Sequence, residues 1–271
     1  MQAHTLSLSS YFLTITRYRD LIAQLVRREF HVRFRGAILG TLWAIVTPLI
    51  NLLMYAFVFG IIFHSRWGDE QSSQSFLVIV LLGMCIHGIL AEALTRAPTT
   101  IISQPAYVKK VVFPLEILPI VVTVNSTFNA VITLALVLLA SLMINAWIPV
   151  TALLLPLVIL PFILLITGIV LFVSSIGVYI RDMSHVTGMV TTLALFLAPI
   201  FYPLSAVPEP YRVLLYLNPV TVIVENAREV ALYGHEPYWS ALLIYTLISC
   251  AILWLGYWWF QKSRNGFADV I

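Results

Sequence analysis

Six stretches of this chain are long and apolar enough to leave water: residues 37–63, 76–94, 117–144, 150–178, 186–204 and 238–260. A helix crossing the hydrocarbon core of a bilayer needs about 20 such residues. Inside lipid every backbone N–H and C=O must be satisfied within the protein, and a helix does this from its own segment. The pattern therefore predicts an all-α integral membrane protein with six transmembrane helices, the fifth being the weakest by length. Composition excludes a soluble alternative, because 61% of the 271 residues are hydrophobic and only 10% are charged. An ordinary soluble domain runs near 45–50% and about 25%. The first long apolar run begins only at Ala37, which is not the layout of a cleavable signal peptide, so the N-terminus is expected to be retained.

Orientation follows from the basic residues of the connections. With a cytoplasmic N-terminus, one side holds Arg17, Arg19, Arg27, Arg28, Arg33, Arg35, Arg96, Lys109, Lys110, Arg181, Lys262 and Arg264. The other side holds Arg66, Arg212 and Arg228, a split of 12 to 3 that covers all 15 Lys and Arg. Both termini are thus expected in the cytoplasm. Residues 1–36 form a cytoplasmic N-terminal part, 37–260 the membrane domain and 261–271 a cytoplasmic tail.

The connections carry further signals. Before the first span, Tyr18, Leu21, Ile22, Leu25, Val26 and Phe30 recur at helical spacing, with Arg17, Asp20, Gln24, Arg27, Arg28, His31 and Arg35 mostly opposite. That is the pattern of an amphipathic helix lying in the membrane interface, either as a plain anchor or as one that also touches a partner. Between spans two and three, Pro98, Pro105 and Pro114 break the chain and leave room for one short helix beginning near Pro105. Between spans five and six, residues 205–237 are apolar but cut by Pro208, Pro210 and Pro219 into pieces too short to span. Two short re-entrant helices on the outer face fit best, the second ending near Gly234.

Candidate chemistry is sparse. No G-x-x-x-x-G-K-[ST] phosphate loop occurs, so any nucleotide energy must come from a partner. Cys85 and Cys250 lie in apolar runs and suggest neither a disulfide framework nor a metal site. Intramembrane charges, the mark of ion-coupled transport, are nearly absent: Glu92 and Glu116 sit near predicted cytoplasmic ends, and His87 reads as a helix-packing hydrogen bond. The first span is the informative one. Thr47, Asn51, Tyr55 and Phe59 recur at steps of four, with Trp43 and Phe63 extending the row. Successive members drift about 40° around a helix, so the central four share one side. Aromatic and hydrogen-bonding side chains together suit a sugar, which offers apolar C–H faces and a rim of hydroxyls. Helix packing through Asn51 and an interfacial belt including Trp43 are the competing explanations. Gly36 and Gly40 are compatible with close helix approach or with a junction.

These residues resemble the permease subunit of type-2 ABC exporters, specifically the exporters of O-antigen, capsule or teichoic acid chains. The resemblance spans nearly the whole chain. Its most specific part is RFRGAILGTLWAIVTPLINLLMYAFVF at residues 33–59. Phe113-Pro114, Leu118-Pro119, Arg181-Asp182, the APIFYP segment, Asn218-Pro219, Arg228 and Glu229 follow in the family's order. It implies a homodimer working with two ATPase subunits, which would hold ATP and Mg, since this chain carries no cofactor or catalytic site of its own. It implies a coupling helix at about residues 103–113 containing Gln104, Pro105, Tyr107, Lys109 and Lys110, with Arg181 and Asp182 as a second contact to the ATPase. It further implies an outer gate at about 208–234 with Tyr211, Tyr216, Glu225, Arg228 and Glu229. The candidate path for cargo then runs along Trp43, Thr47, Asn51, Tyr55 and Phe59, joined by Phe196 and Tyr202. The expected cargo is a lipid-linked polysaccharide, O-antigen first, crossing a bacterial inner membrane; no nucleic acid is expected as a partner. Export of a small lipid or drug is the alternative within the class. A membrane scaffold or lipid-modifying enzyme is the alternative outside it, and would call for clustered acids or histidines at one membrane face.

Overall fold

Apolar runs in a low-dielectric solvent fold as helices because each segment then satisfies its own backbone. The computed structural model describes residues 8–62, 73–109 and 113–271, and among these no strand occurs. In chain order the helices are α1 (Leu8–Arg17), α2 (Arg19–Arg33), α3 (Trp43–Tyr55), α4 (Ser73–Arg96), α5 (Pro105–Val108) and α6 (Ile117–Asn145). They continue as α7 (Leu155–Tyr179), α8 (Met183–Phe196), α9 (Glu209–Tyr216), α10 (Pro219–Arg228), α11 (Trp239–Ser263) and α12 (Phe267–Val270). Five helical segments are long and apolar enough to cross a membrane: Gly40–Val58, Phe76–Thr99, Ile117–Ile144, Val150–Tyr179 and Trp239–Val270.

The fifth apolar run departs from the expectation that it is helical through residue 204. Helix α8 has 14 residues, a rise of about 21 Å at 1.5 Å per residue, against a hydrocarbon core of about 30 Å. Pro199 explains the stop, since a proline removes a donor and disfavours helical backbone at the residue before it. The six apolar runs thus become five long helices and one short one.

Helices α4 and α7 form the middle of the bundle. Val80, Leu82, Ile86, Leu90 and Ala93 of α4 and Phe162, Ile166, Val170 and Leu171 of α7 are all buried. Helix α4 packs along α6, and α7 along α11. The second of these contacts is set by small residues. A Cβ placed on Gly168 would lie 2.6 Å from the carbonyl oxygen of Ile252, and one on Gly256 would collide with the carbonyl of Gly168. Two backbones therefore meet directly, which recovers dispersion contacts that lipid would otherwise match. Gly36 and Gly40 do something else: both adopt positive φ, +85° and +53°, and a Cβ at either would meet nothing within 4 Å. They bend the chain between α2 and α3, and of the two sequence explanations the junction is the one realised.

Helix α3 lies at the edge of the bundle, with Leu52 as its only buried described residue. It starts after a 3-10 turn at Gly40–Leu42 and loosens into a π turn at Ala56–Ile62. At the N-terminus α2 buries Ile22 and Leu25, and α1, which the sequence reading did not separate, buries Tyr11 edge-on to Tyr257 with ring centroids 5.4 Å apart. Helix α5 occupies four residues of the stretch expected to hold a coupling helix.

Candidate translocation and coupling sites

The candidate path residues sit on α3 and at the end of α8. Trp43, Thr47 and Asn51 are exposed, and Tyr55 is half-buried against the main core. Among the described residues neither Thr47 nor Asn51 hydrogen-bonds through its side chain. The side chain of Phe59, and all of Phe63, lie outside the described residues. Phe196 is exposed and its ring leans toward Phe201 at 6.4 Å.

The end of α8 is where the structure concentrates its polar atoms. A helix that stops leaves its last carbonyls without donors, and side chains can answer them. Two side chains do so at the end of α8, and a third serves the segment just beyond it. Asn218 donates from Nδ2 to the carbonyl of Ala194 at 2.7 Å, and Tyr202 donates its hydroxyl to that of Phe196 at 2.8 Å. Arg228 donates from Nη1 to Pro199 O at 2.7 Å and from Nη2 to Ile200 O at 3.2 Å. Its Nη1 also donates to Glu225 Oε1 at 2.9 Å, one helical turn back on α10. At 1% exposure Arg228 is the largest fully buried side chain among the described residues. A guanidinium suits this place because its five donors form a fixed planar fork that one side chain can aim at several carbonyls.

Helix α10 can present Arg228 there because Asn218 and Pro219 start it cleanly: Asn218 Oδ1 accepts from the Val220 N–H at 3.0 Å, and the proline sits in the first turn. The helix runs on as a π turn, Glu229–Tyr233, and ends at Gly234 in the left-handed conformation with φ +77°. Thr151 answers the Val230 carbonyl in that turn at 2.7 Å. Outside this buried frame, Glu229 pairs with His235 Nδ1 at 2.7 Å and accepts from Tyr238 at 3.2 Å. Tyr211 and Tyr216 are exposed on α9.

On the opposite side α2 and α4 meet through ion pairs, and hydrogen bonds tie α5 and α6 to them. Arg33 donates to Glu92 at 2.7 Å, and Asn129 donates to both Glu92 oxygens at 2.8 and 2.9 Å. Arg96 donates to Glu29 at 2.5 Å, which also accepts from Asn125 at 3.2 Å. Arg28 reaches the Tyr107 hydroxyl of α5 at 2.7 Å, and Tyr107 stacks on Phe113 with ring centroids 4.3 Å apart. Glu116, 1% exposed, is paired with Arg264 at 3.1 Å. Both intramembrane-flanking acids are therefore held by arginines, and His87 donates to the Thr191 carbonyl at 3.0 Å between α4 and α8. Gln104 is half-buried at the start of α5, Pro105 and Lys109 are exposed, and Arg181 and Asp182 are exposed between α7 and α8. Lys110 lies outside the described residues.

This architecture of long helices, the short α8 and the pair of short helices α9 and α10 coincides with a match to the ABC-2 type transporter family over residues 20–232. The chain belongs to that family. As an ABC-2 type transporter with five long apolar helices, it is a multi-pass membrane protein. It is 26% identical to the O-antigen export system permease protein RfbA of Myxococcus xanthus over 257 residues, covering 94% of this chain and 96% of that one. A Klebsiella pneumoniae RfbA is 21% identical, covering 93% and 95%. The polysialic acid transport protein KpsM of Escherichia coli is 27% identical, covering 87% and 90%.

For this ABC-2 type transporter, sequence reasoning singled out Arg228 as one of five outer residues but not as the group that caps α8. The clue was present in Pro199, which announces orphan carbonyls, and in a lone arginine within an apolar segment, which announces a donor. The six-residue arrangement of Glu29, Arg33, Glu92, Arg96, Asn125 and Asn129 was missed as a unit, because its members are separated by tens of residues and meet only in the folded bundle.

Proposed function

We propose that this chain is the membrane-spanning subunit of an ATP-driven exporter that carries a lipid-linked polysaccharide, O-antigen first, from the cytoplasm across a bacterial inner membrane. Two copies pair around the path, and two separate ATPase subunits supply the ATP and Mg chemistry. Helix α8, continued by the buried 198–200 segment, completes a sixth crossing and leaves both termini in the cytoplasm. Helix α2 lies in the cytoplasmic interface. Helix α5 with Gln104, Pro105, Tyr107, Lys109 and Lys110, and the Arg181-Asp182 turn, meet the ATPase. Helices α9 and α10 form the outer gate, with Arg228 and Glu225 holding its base and Tyr211, Tyr216 and Glu229 on its rim.

The observation that carries this reading is the placement of α3. An exposed amide and hydroxyl at Asn51 and Thr47 are costly against lipid tails and inexpensive against a wetted path. With Trp43 and Tyr55 on the same helix, they line that path with rings for sugar faces and donors for hydroxyls. No single tight site is needed, so a long chain slides. Export names among relatives that match over nearly their whole length support the cargo class.

A second cargo, a capsular polymer, is favoured by the likeness to polysialic acid transport proteins. The test is deletion of the gene in its host, with surface polysaccharide read by gel and by sugar analysis of the lost material. Loss of surface polysaccharide is expected, restored by the wild-type chain and restored severalfold less by the Asn51→Leu, Tyr55→Leu pair. Unchanged surface polysaccharide after deletion overturns the reading, and the sugar composition of what is lost separates O-antigen from capsule. Full export of polysaccharide by the double variant takes the α3 row out of the path.

A further inference from the structure

Beneath α2 the structure holds a cavity of about 640 Å³, within the range of about 300–1,000 Å³ typical of small-molecule sites. Its walls come from α2, the turn after α4 and the first half of α6, and they mix polar with apolar side chains. Glu29, Arg33, Arg96, Asn125 and Asn129 line it, with Phe30 as an aromatic wall. Thr99 and Ser103 stand on the side of the connecting turn.

Three arginines, Arg28, Arg33 and Arg96, and one carboxylate, Glu29, face the cavity. Arg96 is matched by Glu29 at 2.5 Å and Arg33 by Glu92 at 2.7 Å, while Arg28 is directed at the Tyr107 hydroxyl. Each guanidinium is therefore already engaged, and Val32, Leu118 and Val122 set apolar wall between the polar groups. What such a lining does recognise is an uncharged polyol. Carboxylate, carboxamide and guanidinium groups each present two polar atoms in a plane, which matches two neighbouring hydroxyls. A phenyl ring beside them covers the C–H face of a sugar ring. Because each planar group is already oriented by a neighbour, little side-chain freedom remains to be lost on binding.

We infer that this cavity is a cytoplasmic binding site for a sugar unit of the exported glycan, distinct from the row on α3. The inference rests on the glycan reading above and adds to it a place where the chain is held before translocation. Its position between α2 and the start of α5 also puts any occupant against the Arg28 to Tyr107 contact, so occupancy is sensed beside the segment proposed to meet the ATPase.

The test uses the full complex of this chain with its ATPase in lipid nanodiscs. The probe is a fluorescent oligosaccharide freed from its lipid by mild acid treatment of the host's own surface polymer. Saturable binding to the wild type is expected. Two variants fill the cavity from opposite walls, Thr99→Trp and Val32→Trp, and both should weaken binding at least tenfold while the complex still assembles by size exclusion. Inorganic pyrophosphate in excess should not displace the probe. Absence of saturable binding, wild-type affinity in both variants, or displacement by pyrophosphate overturns the sugar site, the last in favour of an anion site. The parent reading fails separately, by the deletion experiment, since a chain can be needed for export without binding sugar here.

Discussion

Replacing Arg228 by Met tests whether the broken end of α8 is held by side-chain capping. Methionine keeps most of the volume and removes every donor. Two carbonyls, Pro199 at 2.7 Å and Ile200 at 3.2 Å, then lose their partner in a site where Arg228 itself is 1% exposed. An orphaned buried acceptor costs about 1–3 kcal/mol, so the pair accounts for about 2–6 kcal/mol. Breaking a buried ion pair by removing one member costs about 3–5 kcal/mol in its own right. Part of this overlaps, because the same side chain serves both, and Glu225 keeps about a third of its exposure to water. A net loss of about 3–5 kcal/mol follows, on the order of 10 °C in apparent Tm for a chain of this size. Glu225→Gln is the control, since Arg228 keeps both carbonyls and loses only a charge partner; about 1 kcal/mol is expected. Thermal unfolding of detergent-solubilised protein, followed by tryptophan fluorescence, measures both. A shift under 2 °C for Arg228→Met, or a larger shift for Glu225→Gln than for Arg228→Met, would refute the capping argument and leave the ion pair as the main bond.

Gly256→Ala should destabilise by about 1–3 kcal/mol, since its methyl would collide with the Gly168 carbonyl and two helices would have to part; Gly188→Ala, where nothing lies within 4 Å, should be neutral or slightly stabilising by the same melt. Equal melts for the two would sink the close-packing account of α7 and α11. Tyr107→Ala removes the Arg28 hydrogen bond and the Phe113 stack. In the complex with its ATPase it is expected to keep ATP hydrolysis while lowering export severalfold. Loss of both in parallel would argue for a failure of assembly instead.

Much of the helical content was legible because hydropathy alone dictates it. Five of the six apolar runs contain a long helix, and the boundary near Gly234 was readable from the residue that tolerates positive φ. The end of the fifth run was misjudged because hydropathy continues through Leu197, Ala198 and Ile200 while helical backbone does not; Pro199 outranks the pattern. The short α5 and the separate α1 were blurred for a related reason, since marginal helices depend on what they pack against more than on propensity. In the candidate sites, the polar row on α3 could be seen as periodicity along one helix. Arg228 could be seen as an isolated charge, but not its targets, which lie 28 and 29 residues away in sequence.

The sequence by itself determined the solvent and the number of apolar runs, and it set the expectation that 12 of the 15 basic residues share one side of the membrane. Those properties follow from sums over residues, and sums do not require knowing which residues touch. Only the tertiary structure decided that Gly168 and Gly256 are a crossing point whereas Gly36 and Gly40 are a bend, since all four are the same residue and differ in what surrounds them. It alone brought Glu29, Arg33, Glu92, Arg96, Asn125 and Asn129 together in one hydrogen-bonded cluster. Charge pairing at 2.5 to 2.7 Å falls off with distance, so its meaning is fixed by geometry and not by the count of charges.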